Sequence, residues 1–185
     1  LLGRSQAALG LHNDARRSFE AASDNMILET TRPVPRMRSV VRGILKELAA
    51  SQNFDFVDLA EEFKQGTGVN TDGLFLDYCH LSADGINRAM SCIASRVGEA
   101  LTKSNITPKE LYKIAPMPAR SVRASAHLLA ALHNQDWGQP TEILNRHKKA
   151  AMNLDSKCRK KLHQIEELGR DSQPYVFNGN FWKLF

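Results

Sequence analysis

The sequence lacks the patterns that define several classes of protein. No apolar run approaches the ~20 residues that a membrane-spanning helix needs. The glycine-rich segment 60–73 is not followed by Gly-Lys-Ser/Thr, which excludes a P-loop there. The three cysteines, Cys79, Cys92 and Cys158, show neither a C-x-x-C pair nor the spacing of a metal site. We therefore expect reduced thiols rather than a disulfide framework.

Composition and charge fit a globular chain whose two parts differ. The 185 residues are 42% hydrophobic and 24% charged, which is enough for one domain with a sizeable core or for parts of two. The net charge is +5, and its whole excess lies late in the chain. Residues 1–103 carry 12 Lys and Arg against 13 Asp and Glu, whereas residues 104–185 carry 13 against 7. This asymmetry predicts a boundary near Lys103.

The chain is organised around the stretch 54–101. Its first residues, 54–59, form a short apolar run that predicts a buried strand, and a loop rich in Gly and Asn follows. A helix is then predicted over 83–101, with Ser82 as its N-cap. Its apolar residues repeat at helical spacing: Ile86, Met90, Ile93, Ala94, Val97 and Leu101.

Asp77 and His80 stand at the turn before this helix. Three residues apart, the carboxylate can accept a hydrogen bond from Nδ1–H of the imidazole and leave Nε2 free as a general base. This pair is two thirds of a serine-hydrolase triad. A lone His is more often structural than catalytic, so a bridging and capping role for the pair stays open. Cys79 is disfavoured as a nucleophile, since neighbouring side chains usually point apart.

The string LFLDYCHLSADGINRA resembles the last conserved block of the SGNH (GDSL-like) hydrolases, and Asp77, His80 and Gly85 match its D-x-x-H pair and following Gly. Residues 1–103 resemble the branch with a tetratricopeptide-like insert. The family places its nucleophilic Ser and its oxyanion Gly and Asn in earlier blocks, and nothing resembling those blocks precedes Asp77. We therefore expect this chain to be the C-terminal part of a longer protein.

The resemblance implies a function and a site. The reaction would be hydrolysis or transfer of an O-acyl ester, for instance on an O-acetylated carbohydrate, with His80 as base and Asp77 as its orienter. No metal or organic cofactor is implied. The fold would be the C-terminal piece of an α/β, flavodoxin-like three-layer domain plus helical segments. Because most of its sheet would lie elsewhere, we expect this chain to be mostly α.

Three segments follow from these patterns. Residues 1–29 are predicted to be a partial tetratricopeptide-like helical pair, with an ordinary helical hairpin as an equal alternative. Residues 30–103 form the hydrolase-like part, which starts with a proline-rich break at 30–35 and a helix over 36–51. Residues 104–185 form a basic helical extension with an aromatic tail that is either a hairpin or a docked irregular segment.

The extension contains a helix predicted over 119–134 and then one long basic helix from Thr141 to about Leu168. Its charge favours a solvated face, and nucleic acid is the less favoured partner. His127 and His133 lie six residues apart, which is not one helix face, so we expect them at the core edge rather than at a metal. The rival function for the chain is a non-enzymatic helical module that binds a protein partner.

Overall fold

The computed structural model describes residues 1–25, 37–64, 73–103 and 105–170. The predicted proline break at 30–35 and the aromatic tail lie outside these residues. Helices account for 74% of the described residues and none of those residues forms a strand, which confirms the expectation of a mostly α chain. The helices of these ranges are α1 (Leu2–Ala8), α2 (His12–Asn25), α3 (Ser39–Gln52), α4 (Leu59–Lys64), α5 (Ala83–Thr102), α6 (Pro108–Ile114), α7 (Arg120–Asp136), α8 (Thr141–Leu154) and α9 (Cys158–Arg170).

The chain divides into two units by its contacts. One unit comprises Leu1–Asp72 and Arg88–Lys113, and the other comprises Gly73–Asn87 and Ile114–Phe185. The segment limits drawn from the sequence, at 29/30 and 103/104, stay predictions. None of the described helices combines the length and the apolar character that a bilayer crossing requires.

In the first unit, α1 and α2 pack together across the turn at Gly10, whose φ of 74° suits glycine. Ala15 of α2 is fully buried. The Ser18 hydroxyl donates to Gln6 Oε1 at 2.7 Å and so ties α2 to α1. The helical pair expected at the N-terminus is therefore present, and its tetratricopeptide-like character stays a prediction.

Helix α3 is capped at its C-terminal end by Asn53, which takes the left-handed conformation. Its apolar stripe of Val40, Ile44 and Leu48 faces outward, because these side chains are 61%, 57% and 45% exposed. The sequence predicts a buried strand in the following segment, 54–58, and that prediction is wrong. Its residues make no strand pairing within the described part of the chain, and Phe54 is 49% exposed.

The segment instead leads into α4. Asp58 Oδ1 accepts a hydrogen bond from the Glu61 N–H at 3.1 Å, the contact that an N-cap makes. The same carboxylate lies 3.6 Å from Nε of Arg42 and 3.9 Å from Nζ of Lys46, so α3 and α4 are linked by charge as well.

The core of the second unit lies where α7, α8 and the start of α9 meet. Four of its residues are at most 1% exposed, and three of the four are small, so the helix axes approach closely. Met152, Leu154 and Leu162 cover this cluster. The four residues are Ala124, Leu128, Ala151 and Cys158.

The prediction of a single helix from Thr141 to about Leu168 is wrong, because the structure has two helices there. Asp155 is extended, with φ −148° and ψ 114°, and its Oδ1 accepts the Lys157 N–H at 2.9 Å. The Arg120 guanidinium donates to the carbonyls of Asn153 and Leu154 at 2.9 and 3.2 Å, which satisfies the end of α8. The break brings Cys158 into the core.

Candidate active site

The Asp77–His80 segment lies at the tip of a closed loop in the second unit. The Leu76 N–H donates to the His80 carbonyl at 2.8 Å, and the Ser82 N–H donates to the Leu74 carbonyl at 2.9 Å. An isolated antiparallel bridge joins Phe75 to Leu81. These ties hold the four residues 77–80 in one compact turn.

Asp77 binds His80 through both carboxylate oxygens. Oδ1 accepts the backbone N–H groups of Cys79 and His80 at 2.9 and 2.8 Å, and Oδ2 lies 2.7 Å from Nδ1 of the His80 ring. The Asp77 side chain is 8% exposed, whereas that of His80 is 68% exposed. One side of the imidazole is therefore fixed by Asp77, and the ring faces solvent. The catalytic role of the two residues stays a prediction.

The surroundings of Asp77 keep it ionised. Burial alone would raise the pKa of its carboxyl group, but the two backbone N–H donors and the His80 ring outweigh burial and lower the pKa below its ordinary value. The lowered pKa keeps Asp77 in the carboxylate form that the orienting residue of a triad requires.

The loop runs directly into α5 through Ser82 and Gly85. The Ser82 hydroxyl donates to the Gly73 carbonyl at 2.6 Å and accepts the Gly85 N–H at 3.1 Å, so Ser82 caps the helix as the sequence predicts. A Cβ at Gly85 would lie 2.1 Å from the Leu74 carbonyl oxygen. Only glycine fits where the loop crosses the first turn of the helix.

Helix α7 supports the loop from a distant part of the sequence. Asn134 is 3% exposed, and its side-chain amide donates to the Leu76 carbonyl at 2.8 Å. His133 Nε2 lies 3.6 Å from Asp77 Oδ2, and the Tyr78 and Trp137 rings pack with centroids 5.1 Å apart. The sequence predicts His133 at a core edge and does not single out Asn134. No local pattern signals them, since 58 residues separate Asn134 from Leu76.

Cys79 lies closer to the His80 imidazole than expected from the sequence. Its exposed Sγ is 3.5 Å from Nδ1 of His80, so these neighbouring side chains do not point apart. The ligand atoms of Asp77, Cys79 and His80 all lie within 4.8 Å of one another. The loop therefore gathers a carboxylate, a thiol and an imidazole.

A cavity of about 280 Å³ lies in the same unit. Leu76 and Leu81, which flank the Asp77–His80 turn, contribute to its lining. Most of the remaining lining is apolar, and its charged part is the pair Asp84–Arg123, whose oxygen and nitrogen are 3.6 Å apart. The cavity is large enough for a short acyl chain and apolar enough to bind one.

His127, also on the cavity wall, contacts His147 of α8 with 3.0 Å between their Nδ1 atoms. His147 is 1% exposed. Burial is the largest effect that lowers the pKa of His127. Arg123 and Arg146 act in the same direction, and Asp84 opposes them. The two imidazoles can share one proton between the nitrogens only while at least one ring is neutral.

We expect this lowered pKa to make the unit less stable in acid. In the unfolded chain His127 titrates near 6.5, so stability is full above that pH and falls as pH drops through it towards the folded-state pKa. Urea unfolding at pH 7.5, 6.5 and 5.5 measures the loss. The His127→Gln variant should flatten the dependence, and the exposed-site variant His12→Gln should keep it. An unchanged slope in His127→Gln would contradict the assignment.

Comparison with protein-family models, with curated proteins and with solved structures found no match for this chain.

Proposed function

We propose that this chain carries the Asp–His half of the catalytic triad of an SGNH-type serine esterase or O-acyltransferase. The observation that carries the proposal is the 2.7 Å contact between Asp77 Oδ2 and His80 Nδ1 on a loop that leads into a capped helix. The nucleophilic Ser and the oxyanion donors would come from sequence that precedes residue 1, and we call the protein that includes it the full-length protein.

In this mechanism Asp77 holds His80 in the tautomer with the proton on Nδ1. Nε2 then accepts the proton of the Ser hydroxyl as the hydroxyl attacks the ester carbonyl, and the resulting imidazolium is stabilised by the Asp77 carboxylate. His80 returns this proton to the leaving alcohol. Water, or an acceptor hydroxyl in a transferase, repeats the sequence on the acyl-enzyme.

The cavity supports an acyl ester as the substrate class. Its apolar wall includes Leu76 and Leu81, the residues on either side of the Asp77–His80 turn. An acyl chain bound there would be stabilised by about 25 cal/mol for each Å² of apolar surface that it buries. Together with the ionised Asp77 and the solvent-facing His80, this wall suits an enzyme that takes its substrate from solution.

The alternative is a non-enzymatic helical module, and the exposed stripe of α3 is the observation that favours it. Val40, Ile44 and Leu48 are 61%, 57% and 45% exposed and form an apolar face of the kind that protein partners cover. Under the hydrolase proposal the same face would pack against the sheet of the full-length protein. The two functions differ in whether a catalytic activity of the protein depends on His80.

A serine-directed fluorophosphonate probe tests the proposal. We expect the full-length protein to be labelled on one Ser that precedes residue 1, since only an activated hydroxyl reacts with such a probe. The His80→Ala variant should lose the labelling. His163→Ala is a matched control, because the His163 side chain is 69% exposed and that of His80 is 68% exposed. Labelling that survives His80→Ala, or that falls on Cys79, would overturn the hydrolase proposal and favour the helical module.

A further inference from the structure

The loop that carries Asp77 and His80 also holds Cys79, and His133 of α7 contacts the same Asp77 carboxylate. Cys79 Sγ lies 3.5 Å from His80 Nδ1, and His133 Nε2 of α7 lies 3.6 Å from Asp77 Oδ2. The ligand atoms of the three loop residues are all within 4.8 Å of one another. Thiolate, imidazole and carboxylate are the ligands that proteins use for zinc.

The distances can be compared with those of a tetrahedral zinc site. With Zn–S near 2.3 Å and Zn–N and Zn–O near 2.1 Å, neighbouring ligand atoms are separated by about 3.4 to 3.6 Å. The Cys79–His80 and His133–Asp77 separations already have this length. The Asp77–His80 contact, at 2.7 Å, is a hydrogen bond and would have to open by about 0.7 Å.

His133 gives an independent indication. Its Nε2 is buried and has no hydrogen-bond partner among the described residues, although it points towards the Asp77 carboxylate. A buried polar nitrogen that makes no hydrogen bond is unfavourable. A metal ion between Nε2 and Oδ2 would satisfy it.

We propose that Asp77, Cys79 and His80 form a Zn²⁺-binding site, and that His133 adds the fourth ligand by moving from its position beside Asp77 towards the other two. On binding, the Cys79 thiol releases its proton to solvent and coordinates as thiolate, while the Nδ1 proton of His80 moves to Nε2 so that Nδ1 can coordinate. The site shares Asp77 and His80 with the hydrolase proposal, but its existence does not require that the protein hydrolyse an ester. Where that proposal also holds, the bound metal inhibits the esterase, because Nε2 carries a proton and cannot act as a base.

The test is a titration of the 185-residue chain with Co²⁺, used as a spectroscopic probe and then displaced by Zn²⁺. We expect one ion per chain, the strong visible bands of a tetrahedral site and a near-ultraviolet thiolate-to-cobalt band. Cys79→Ser should remove the thiolate band. Cys158→Ala should keep it, because Cys158 lies in the core of the same unit.

His133→Gln tests the ligand contributed by α7. Loss of this ligand should weaken Zn²⁺ binding by more than about tenfold, since even a change in a residue that only orients a ligand weakens binding 10- to 100-fold. Circular dichroism checks that the Cys79→Ser and His133→Gln variants fold. Because Cys79 is exposed, its substitution should leave the fold intact. A chain that shows no thiolate band, a band that Cys79→Ser leaves in place, or an affinity indifferent to His133→Gln would overturn the site. None of these results depends on ester hydrolysis.

Discussion

Replacing Asp77 with Asn is expected to lower the esterase turnover of the full-length protein roughly 10⁴-fold, the loss typical of a triad that keeps its geometry but holds the wrong histidine tautomer. The Asn carbonyl oxygen can still accept the backbone N–H groups of Cys79 and His80, which Asp77 Oδ1 now accepts. The Asn amide, however, donates where Oδ2 accepts from Nδ1. The loop should therefore persist while His80 Nε2 becomes protonated.

The His80 tautomer and the turnover rate are the two measurements that check this expectation. Long-range ¹H–¹⁵N correlation spectra of the 185-residue chain should show the Nδ1–H tautomer of His80 in the wild type and the Nε2–H tautomer in Asp77→Asn. Asp136→Asn, at the exposed end of α7, is the matched control and should change neither tautomer nor turnover. A wild-type His80 in the Nε2–H form would contradict the orienting role of Asp77.

The second large effect is expected at Gly85. Alanine there would place its Cβ 2.1 Å from the Leu74 carbonyl oxygen, and because that atom belongs to the backbone the loop itself must move. We expect a loss of about 3 kcal/mol in the free energy of unfolding. This corresponds to a fall in Tm of about 6–12 °C for a chain of this size. The Asp77–His80 turn should shift with the loop, so turnover should fall as well.

Gly98 provides the control on the same helix. A Cβ at Gly98 meets no atom within 4 Å, so Gly98→Ala should gain helix propensity and stabilise α5 by up to about 1 kcal/mol. Thermal unfolding followed by circular dichroism compares the two variants directly. If Gly85→Ala unfolds at the temperature of the wild type, the close approach of loop and helix does not exist in solution.

The sequence predicts those parts of the site whose interactions span only a few residues. Asp77 and His80 are three apart, and their contact needs no information beyond a turn. Ser82 caps α5 through a bond to Gly85, again three residues away. Helices α3 and α5 follow from apolar periodicity, and their observed ends lie within three residues of the predicted ones.

Contacts between distant residues were not predictable. His133 and Asn134 reach the loop only because α7 packs beside it, and nothing in their local sequence distinguishes them from other polar residues at a helix surface. The break at Asp155 depends on a side-chain bond to Lys157 and on Arg120 from another helix. A periodic apolar pattern continues across such a break, which is why one helix was predicted.

The predicted strand at 54–58 shows a further limit of sequence patterns. An apolar run such as Phe54–Leu59 has the composition of a buried strand, but a strand also needs a neighbour to pair with its backbone groups. The described residues supply none, so the segment forms no strand there and Asp58 caps α4 instead. In the proposed full-length protein, the exposed stripe of α3 would pack against a sheet.

We propose His80 as the general base of an esterase whose nucleophile lies outside this chain, and p-nitrophenyl acetate hydrolysis is the assay that decides it. We expect the 185-residue chain to release p-nitrophenol no faster than its His80→Ala variant, because no Ser among the described residues is held against His80 Nε2 and the loss of even one oxyanion donor lowers the rate by about 10²–10³. In the full-length protein, His80→Ala should remove nearly all turnover, a loss on the order of 10⁴-fold or more, while His163→Ala leaves it intact. Turnover by the 185-residue chain that depends on His80 would show that the nucleophile lies within it, and a full-length protein indifferent to His80→Ala would contradict the hydrolase function altogether.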